Sequence, residues 1–307
     1  MKVASVGSAL VDVFVHSSSF TVEEDNVSTL TCTAQGGKLP LDHLQIKTGG
    51  GGTNTAVGFK RLGFDATVVA ELGSDDLAEL VVKDLRRELV TIDQLVLEKK
   101  EQTGGAVIFV CQDGSRMVLV HRGAATQLEP RDIDTAVLGQ ANWAHLSSLS
   151  GQLATIEHVI NCVAKHDQGM SWNPGSDDLE LLAGDQLDLE VIPCQVLILN
   201  LQEWSSISSH HSRLRAVVPE IVVTDGRRGG IVYARGHQPL AYQAKSVQSS
   251  DDTGAGDAFG VGYIGAKLHG KSLLERIQWG VENAAAVVQQ VGAKPGLLRR
   301  VQLERLV

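Results

Sequence analysis

The sequence predicts an α/β protein built on a mostly parallel sheet flanked by helices. Three observations carry this. From about residue 130 onward, short apolar runs alternate strictly with segments of helical periodicity, the pattern of strands joined by covering helices. Two small-residue turns, Gly49–Gly52 and Gly254–Gly256, run straight into helical patterns. The polar, Thr-rich stretches at 20–35 and 43–48 alternate like exposed β structure and stand apart from that core.

In chain order, residues 2–7 form an apolar run ending in glycine, a buried strand. Leu10–Val15 follows, with Asp12 among apolar neighbours, where a carboxylate is costly unless paired or useful. The helix after the tetraglycine turn runs to about Leu62 and holds Asn54 in its first turns. A strand at 66–72, a helix at 75–89 and strands at 95–97, 105–110 and 117–120 come next, with Gln112–Ser115 as a hairpin turn. Helices at 130–138, 151–166, 177–184 and 201–209 then precede strands at 143–146, 170–172, 196–199 and 221–224. A hairpin (230–234, 239–244) leads to the helices at 255–269 and 272–291.

The 307 residues are 43% hydrophobic and 21% charged, enough for a full core. A net charge of −9 argues against a nucleic-acid partner. The four cysteines, Cys32, Cys111, Cys162 and Cys194, contain no C-x-x-C pair, so neither a zinc knuckle nor a disulfide framework is indicated. The N-terminus reads as a strand and not a signal peptide, and no apolar run reaches the ~20 residues of a membrane span. The expected place is the cytoplasm.

The stretch that points to chemistry is Asp251–Phe259. Gly254, Ala255 and Gly256 lie where a helix begins, so an anion can approach unpaired N–H groups at the positive end of the dipole. Asp257 at the edge of this cradle is badly placed to bind phosphate and well placed to take a proton from a hydroxyl that attacks it. Gly260-Val261-Gly262-Tyr263-Ile264-Gly265 matches a dinucleotide fingerprint, but it falls inside the helix, where glycines serve close helix packing.

Four ordered motifs together resemble the PfkB/ribokinase family of carbohydrate kinases: Gly49-Gly50-Gly51-Gly52-Thr53-Asn54, Asn200-Leu201-Gln202-Glu203, Thr224-Asp225-Gly226-Arg227-Arg228-Gly229 and Asp252–Asp257. The resemblance spans essentially the whole chain. It implies a single ribokinase-like domain over 1–307, a doubly wound sheet, and a small β lid drawn from segments at about 14–48 and 95–121. It implies ATP-dependent phosphorylation of an alcohol, with Asp257 as base and the Gly254–Gly256 N–H groups stabilising the transferring phosphoryl. It implies substrate hydroxyls bound by Asp12, Asn54 and the backbone at Gly50 and Gly51. The nucleotide would lie along Asn200, Thr224, Gly226 and Gly229 with Asn283 near adenine. Glu203 would hold Mg²⁺ through water. Backbone carbonyls near Asp251, Thr253 and Gly292 are candidate K⁺ ligands.

The order of substrates read from the residues is simple sugar (ribokinase- or fructokinase-like), then nucleoside, then a 2-keto-3-deoxygluconate-type sugar acid, for which Arg122 would pair with the carboxylate. A non-catalytic sugar-binding protein is the reading from another class, opposed by Asp257, which binding alone does not need. A homodimer through the lid is the expected partner arrangement.

Overall fold

The computed structural model describes residues 1–24, 29–32, 38–98, 100–111 and 116–307. The strands are β1 (Lys2–Val6), β2 (Leu10–His16), β3 (Thr21–Glu24), β4 (Thr29–Cys32), β5 (His43–Gly49), β6 (Asp65–Gly73), β7 (Thr91–Glu98), β8 (Gly104–Val110), β9 (Arg116–His121), β10 (Trp143–Leu146), β11 (Gly169–Trp172), β12 (Cys194–Asn200), β13 (Glu220–Thr224), β14 (Gly230–Ala234) and β15 (Leu240–Tyr242). The helices are α1 (Gly51–Arg61), α2 (Asp76–Arg87), α3 (Thr135–Leu138), α4 (Leu153–Lys165), α5 (Ser176–Ala183), α6 (Leu201–Ser206), α7 (His211–Val217), α8 (Ala255–Leu268), α9 (Leu273–Val287) and α10 (Arg300–Leu306).

A nine-stranded sheet in the order β15-β14-β13-β12-β11-β10-β1-β6-β7 forms the body. From β13 to β7 every pair is parallel; β14 and β15 add an antiparallel edge. The chain winds outward from β1 through β6 to one side and through β10 to the other. The order therefore reverses between β1 and β10, and their carboxyl ends open a crevice where ligands bind in open sheets. A second sheet, β5-β2-β8-β9, stands where the lid was expected, and β3 pairs with β4 in a separate ribbon.

Helices cover both faces of the large sheet. On one face β1, α1, α8 and α9 share a core that includes Val3, Phe59, Phe259, Tyr263 and Trp279. The other face is lined by α4, α5 and the strands they cover, with Leu146, Ile156, Trp172 and Leu199 buried. The glycines inside α8 pack helices: a Cβ on Gly262 would lie 2.4 Å from the Trp279 carbonyl oxygen and one on Gly265 2.3 Å from Leu62 Cδ1.

Some elements differ from the sequence reading. The 95–97 strand, assigned to the lid, is part of β7, which pairs in parallel with β6 at the edge of the large sheet; the second lid segment starts at Gly104. The expected helix at 130–138 is a 3₁₀ turn, Pro130–Asp132, followed by α3, because Asp134 caps anew by accepting from Ala136 N–H at 2.8 Å. The 201–209 helix stops at Ser206, and α7 and α10 were not foreseen. The hairpin turn Gln112–Ser115 lies outside the described residues.

Candidate active site

Gly254 caps α8 in the left-handed conformation, φ 76°. A Cβ there would lie 2.3 Å from that of Ala293, so only glycine fits. Around Gly256 a Cβ would meet nothing within 4 Å, which leaves that backbone open to the crevice. Asp257 is the third residue of the helix. It keeps some contact with solvent, yet burial pushes its carboxyl pKa up; the Asn54 hydrogen bond and the charge of Lys294 oppose the shift.

The tetraglycine turn brings Asn54 to it. Gly50 is at φ 95°, and a Cβ on it would lie 2.4 Å from Ser8 O. Gly51 N–H donates to Ser8 Oγ at 3.1 Å and Gly52 N–H to Ser8 O at 3.0 Å, pinning the turn to the loop after β1. A Cβ on Gly51 would meet Ser147 Oγ at 2.9 Å and Asp257 Oδ1 at 3.7 Å. Glycine thus lets the start of α1 press onto the crevice between β1 and β10. One turn along, Asn54 Nδ2 donates to Asp257 Oδ2 at 2.8 Å, across 203 positions of sequence. The other end of that amide, Oδ1, is buried and has no partner among the described residues; the same holds for Ser147 Oγ. Buried polar atoms seldom go unpaired, so Asn54 Oδ1 awaits a hydrogen-bond donor and the Ser147 hydroxyl a donor or an acceptor.

Asp12 stands on β2, buried, with β5 alongside. A Cβ on Gly49 would lie 2.5 Å from Asp12 Oδ2, so the glycine leaves room for the carboxylate. Its pKa is raised from 3.8 to about 6, by burial first and the Asp251 charge second, with Lys294 opposing.

Lys294 was not singled out in the sequence, where it is one lysine after Gly292-Ala293. Only 5% of it is exposed. Its Nζ lies 2.9 Å from Thr48 Oγ1 and 3.2 Å from Asp84 Oδ2. Burial lowers its pKa to about 8 against the pull of Asp84, Asp12 and Glu88. It is the buried cation that serves Asp12 and Asp257 together.

On the other flank, Asn200 and Glu203 form a reciprocal capping box at the start of α6: Asn200 N–H donates to Glu203 Oε2 and Glu203 N–H to Asn200 Oδ1, both at 2.8 Å. Burial raises the Glu203 pKa, partly offset by the Asn200 N–H. Thr224 is in register with Asn200 on the neighbouring strand. Gly226 (φ 52°) opens onto free space, whereas a Cβ on Gly229 (φ 93°) would lie 2.0 Å from Tyr242 O. A cavity of about 210 Å³ lies between lid and loops, lined by Phe14, Arg116, Arg227, Ser250 and Asp251.

Two expected site residues sit elsewhere. Asn283 is fully buried, its Nδ2 donating to Ala258 O at 2.7 Å and its Oδ1 accepting from Leu298 N–H at 2.8 Å. It ties α8 to the C-terminal segment and presents no edge to a base. Arg122 is exposed and turns to Ser150 Oγ (3.1 Å) and Asp177 (3.8 Å).

A family profile described as pfkB family carbohydrate kinase matches residues 2–299. The chain belongs to the pfkB family of carbohydrate kinases. Among relatives, an uncharacterized sugar kinase of Archaeoglobus fulgidus is 28% identical over 80% of this chain and 100% of its own length. A nucleoside kinase of Methanothermobacter thermautotrophicus is 25% identical over 95% of this chain and 91% of its own. The ribokinase of Arabidopsis thaliana, solved with ribose and ATP, superposes with a TM-score of 0.79 at 24% identity, covering 99% of this chain and 97% of that one.

Membership in the pfkB family makes the chain a phosphotransferase with an alcohol as acceptor. Its crevice holds a carboxylate at a helix N-terminus, an amide whose Oδ1 has no partner among the described residues, and a buried lysine. Among the described residues no group of three or more His, Cys, Asp or Glu stands together as a metal cage, and no helix is long and apolar enough to cross a membrane. Ser8 and Ser147 also escaped the sequence reading. Their one signal was position, just past the carboxyl ends of β1 and β10.

Proposed function

We propose that this pfkB-family kinase transfers the γ-phosphoryl group of ATP to a hydroxymethyl or other alcohol group of a simple sugar, with Asp257 as general base. The observation that carries the reading is the Asn54–Asp257 pair at the start of α8. Asn54 orients the carboxylate by donating to Oδ2, and its own unpaired Oδ1 is an acceptor for a second substrate hydroxyl. The attacking hydroxyl gives its proton to Asp257 as its oxygen bonds to the γ-phosphorus; the bond to the bridging oxygen breaks and ADP leaves. The raised pKa of Asp257 brings it nearer to that task than an ordinary carboxylate. N–H groups at Gly254 and Gly256 face the phosphoryl oxygens, where negative charge builds, while Ala255 N–H donates to Asp252 O at 3.2 Å and helps hold the turn. Asp12, with the backbone of Gly50 and Gly51, completes the sugar pocket.

The ATP phosphates lie between this cradle and the turn at Thr224, Gly226 and Gly229. Mg²⁺ prefers oxygen ligands and keeps several waters, so the single Glu203 carboxylate suits it through water while Oε2 also caps α6. Its chemistry there is neutralisation of phosphate charge. Asn283 acts in this scheme as a brace behind α8.

A nucleoside acceptor is the second reading, favoured by the match to a nucleoside kinase over 95% of this chain. The sugar-acid reading gains nothing from Arg122, which is paired at the surface. Homodimerisation through the lid fits the exposed Leu44 and Ile46 on β5 and Val118 and Val120 on β9. The deciding experiment measures ADP release from Mg²⁺-ATP over a panel of pentoses, hexoses, nucleosides and sugar acids. Turnover of a sugar or a nucleoside names the class; no turnover of any of them, together with no thermal stabilisation by Mg²⁺-ATP, overturns the proposal.

A further inference from the structure

Two arginines stand side by side in the turn between β13 and β14, and they are spent differently. Arg228 forks onto Asp225, Nε to Oδ2 at 2.6 Å and Nη2 to Oδ1 at 2.7 Å, and so closes the turn on itself. Arg227 is exposed, and among the described residues no carboxylate lies within ion-pair distance of it. It follows Gly226, whose surroundings are open.

Arg227 lines the cavity of about 210 Å³ together with Ser249, Ser250, Asp251 and Asp252, the residues that lead toward Gly254. This space therefore joins the turn at Thr224–Gly229 to the approach of the cradle. Its remaining wall comes from the smaller sheet, where register sets His16 beside Val110 and Val110 beside Arg116. Arg116 Nη1 lies 2.5 Å from Asp251 Oδ1, across 135 positions, and Nη2 lies 3.2 Å from Asp252 Oδ2. Two carboxylates and two guanidinium groups thus border the cavity, with His16 beside them. Three of those four charges answer one another. The fourth, Arg227, is left for something that enters from solvent, and a guanidinium is shaped to hold phosphate oxygens two at a time.

We propose that Arg227 is a phosphate-binding residue of this kinase, which grips the β- and γ-phosphates of the nucleotide where they pass from the turn to the cradle. Arg116 has a different part. Two carboxylates beside the path would repel phosphate, and the guanidinium that bridges them offsets that repulsion. Arg227 is then free to act on the ligand alone. Because it holds phosphates that are present before and during the transfer, its effect falls on nucleotide binding more than on kcat. The inference rests on the kinase reading above, which supplies the triphosphate.

The test is calorimetric titration of the full chain with Mg²⁺-ATP and with AMP, alongside steady-state kinetics on whichever acceptor the panel identifies. Arg227→Ala is expected to bind Mg²⁺-ATP roughly 10–100-fold more weakly, as for loss of a hydrogen bond between charged groups, and to bind AMP within about twofold of wild type. KM for ATP should rise by a similar factor, with kcat and the acceptor KM within about threefold. Arg227→Lys, which keeps the charge without the fork, should recover part of the ATP affinity. Unchanged ATP affinity in Arg227→Ala overturns the proposal. So does equal weakening of ATP and AMP, which would make Arg227 a shaper of the turn. A loss confined to the acceptor KM also overturns it, since the cavity would then take a phosphate carried by the acceptor. A wild type that binds no ATP fells the kinase reading and this proposal with it, whereas each of the other outcomes fells this proposal alone.

Discussion

Replacing Asp12 by asparagine is expected to make the ligand-free protein more stable while weakening its hold on substrate. The folded environment raises the Asp12 carboxyl from 3.8 to about 6, chiefly by burial, then by the Asp251 charge. The sign follows from proton linkage. Between about pH 4 and 6 the folded state keeps a proton that the unfolded chain has released, so this group's contribution to stability is lost as pH rises through that window. About two pKa units correspond to about 3 kcal/mol, all of it felt above pH 7, and roughly half of it developing between pH 5 and 8. Asparagine has nearly the same shape and no charge to desolvate, so the variant should escape this cost. The assay is urea unfolding of wild type and Asp12→Asn at pH 5, 6, 7 and 8, where the difference between the two proteins cancels titrations not coupled to Asp12; Lys294, whose pKa of about 8 is held up in part by Asp12, adds to the difference only at the top of the range. The variant's advantage should grow with pH, and substrate affinity should fall roughly 10–100-fold through loss of a buried charged acceptor. A variant less stable than wild type at pH 8, or a difference flat from pH 5 to 8, would refute the reasoning, because the charge of Asp12 would then cost nothing in the fold.

Asp257→Asn should leave ATP and substrate affinity within a few fold and lower kcat by roughly 10²–10⁴; near-normal turnover would remove Asp257 as base. Asn54→Ala should weaken substrate binding by roughly 10–100-fold and leave ATP binding nearly unchanged, since it deletes a polar partner on the substrate side alone. The same change removes a hydrogen bond that holds the Asp257 pKa down, so the acid limb of the kcat profile should move to higher pH; an unmoved limb would break the link between the two residues. Lys294→Met should cost about 1–3 kcal/mol in urea unfolding because half-buried Asp84 keeps only the exposed Arg87 as a cation and Asp12 loses its own, and adding Asp84→Asn should recover part of the loss. Full stability in the single variant would show that the lysine is not needed to neutralise its neighbours.

Much of the architecture was legible because its causes are local. Apolar runs of strand length, helical spacing and turn residues specify which segments pair and which cover, and the glycine turns announce where backbone must come close. Asn54 and Asp257 were likewise readable as candidates because each follows a small-residue turn at a helix start, and the close approach at Gly50, Gly51 and Gly254 is what small residues there allow. The resemblance of four ordered motifs carried the family.

By itself, then, the sequence determined the fold class and named the candidate residues of cradle and base, since these depend on residue type and near neighbours. Tertiary structure alone decided how charges balance. Lys294 meets Asp84, and Arg116 meets Asp251, across 210 and 135 positions, and neither sits in a pattern that periodicity could mark. It decided too that Asn283 spends both ends of its amide inside the protein, that β7 joins the large sheet, and that Arg122 faces outward. Local pattern reports which side of an element is buried. Whether a buried charge is neutralised depends on what other elements bring to the same few ångströms, and that exists only once the chain has folded.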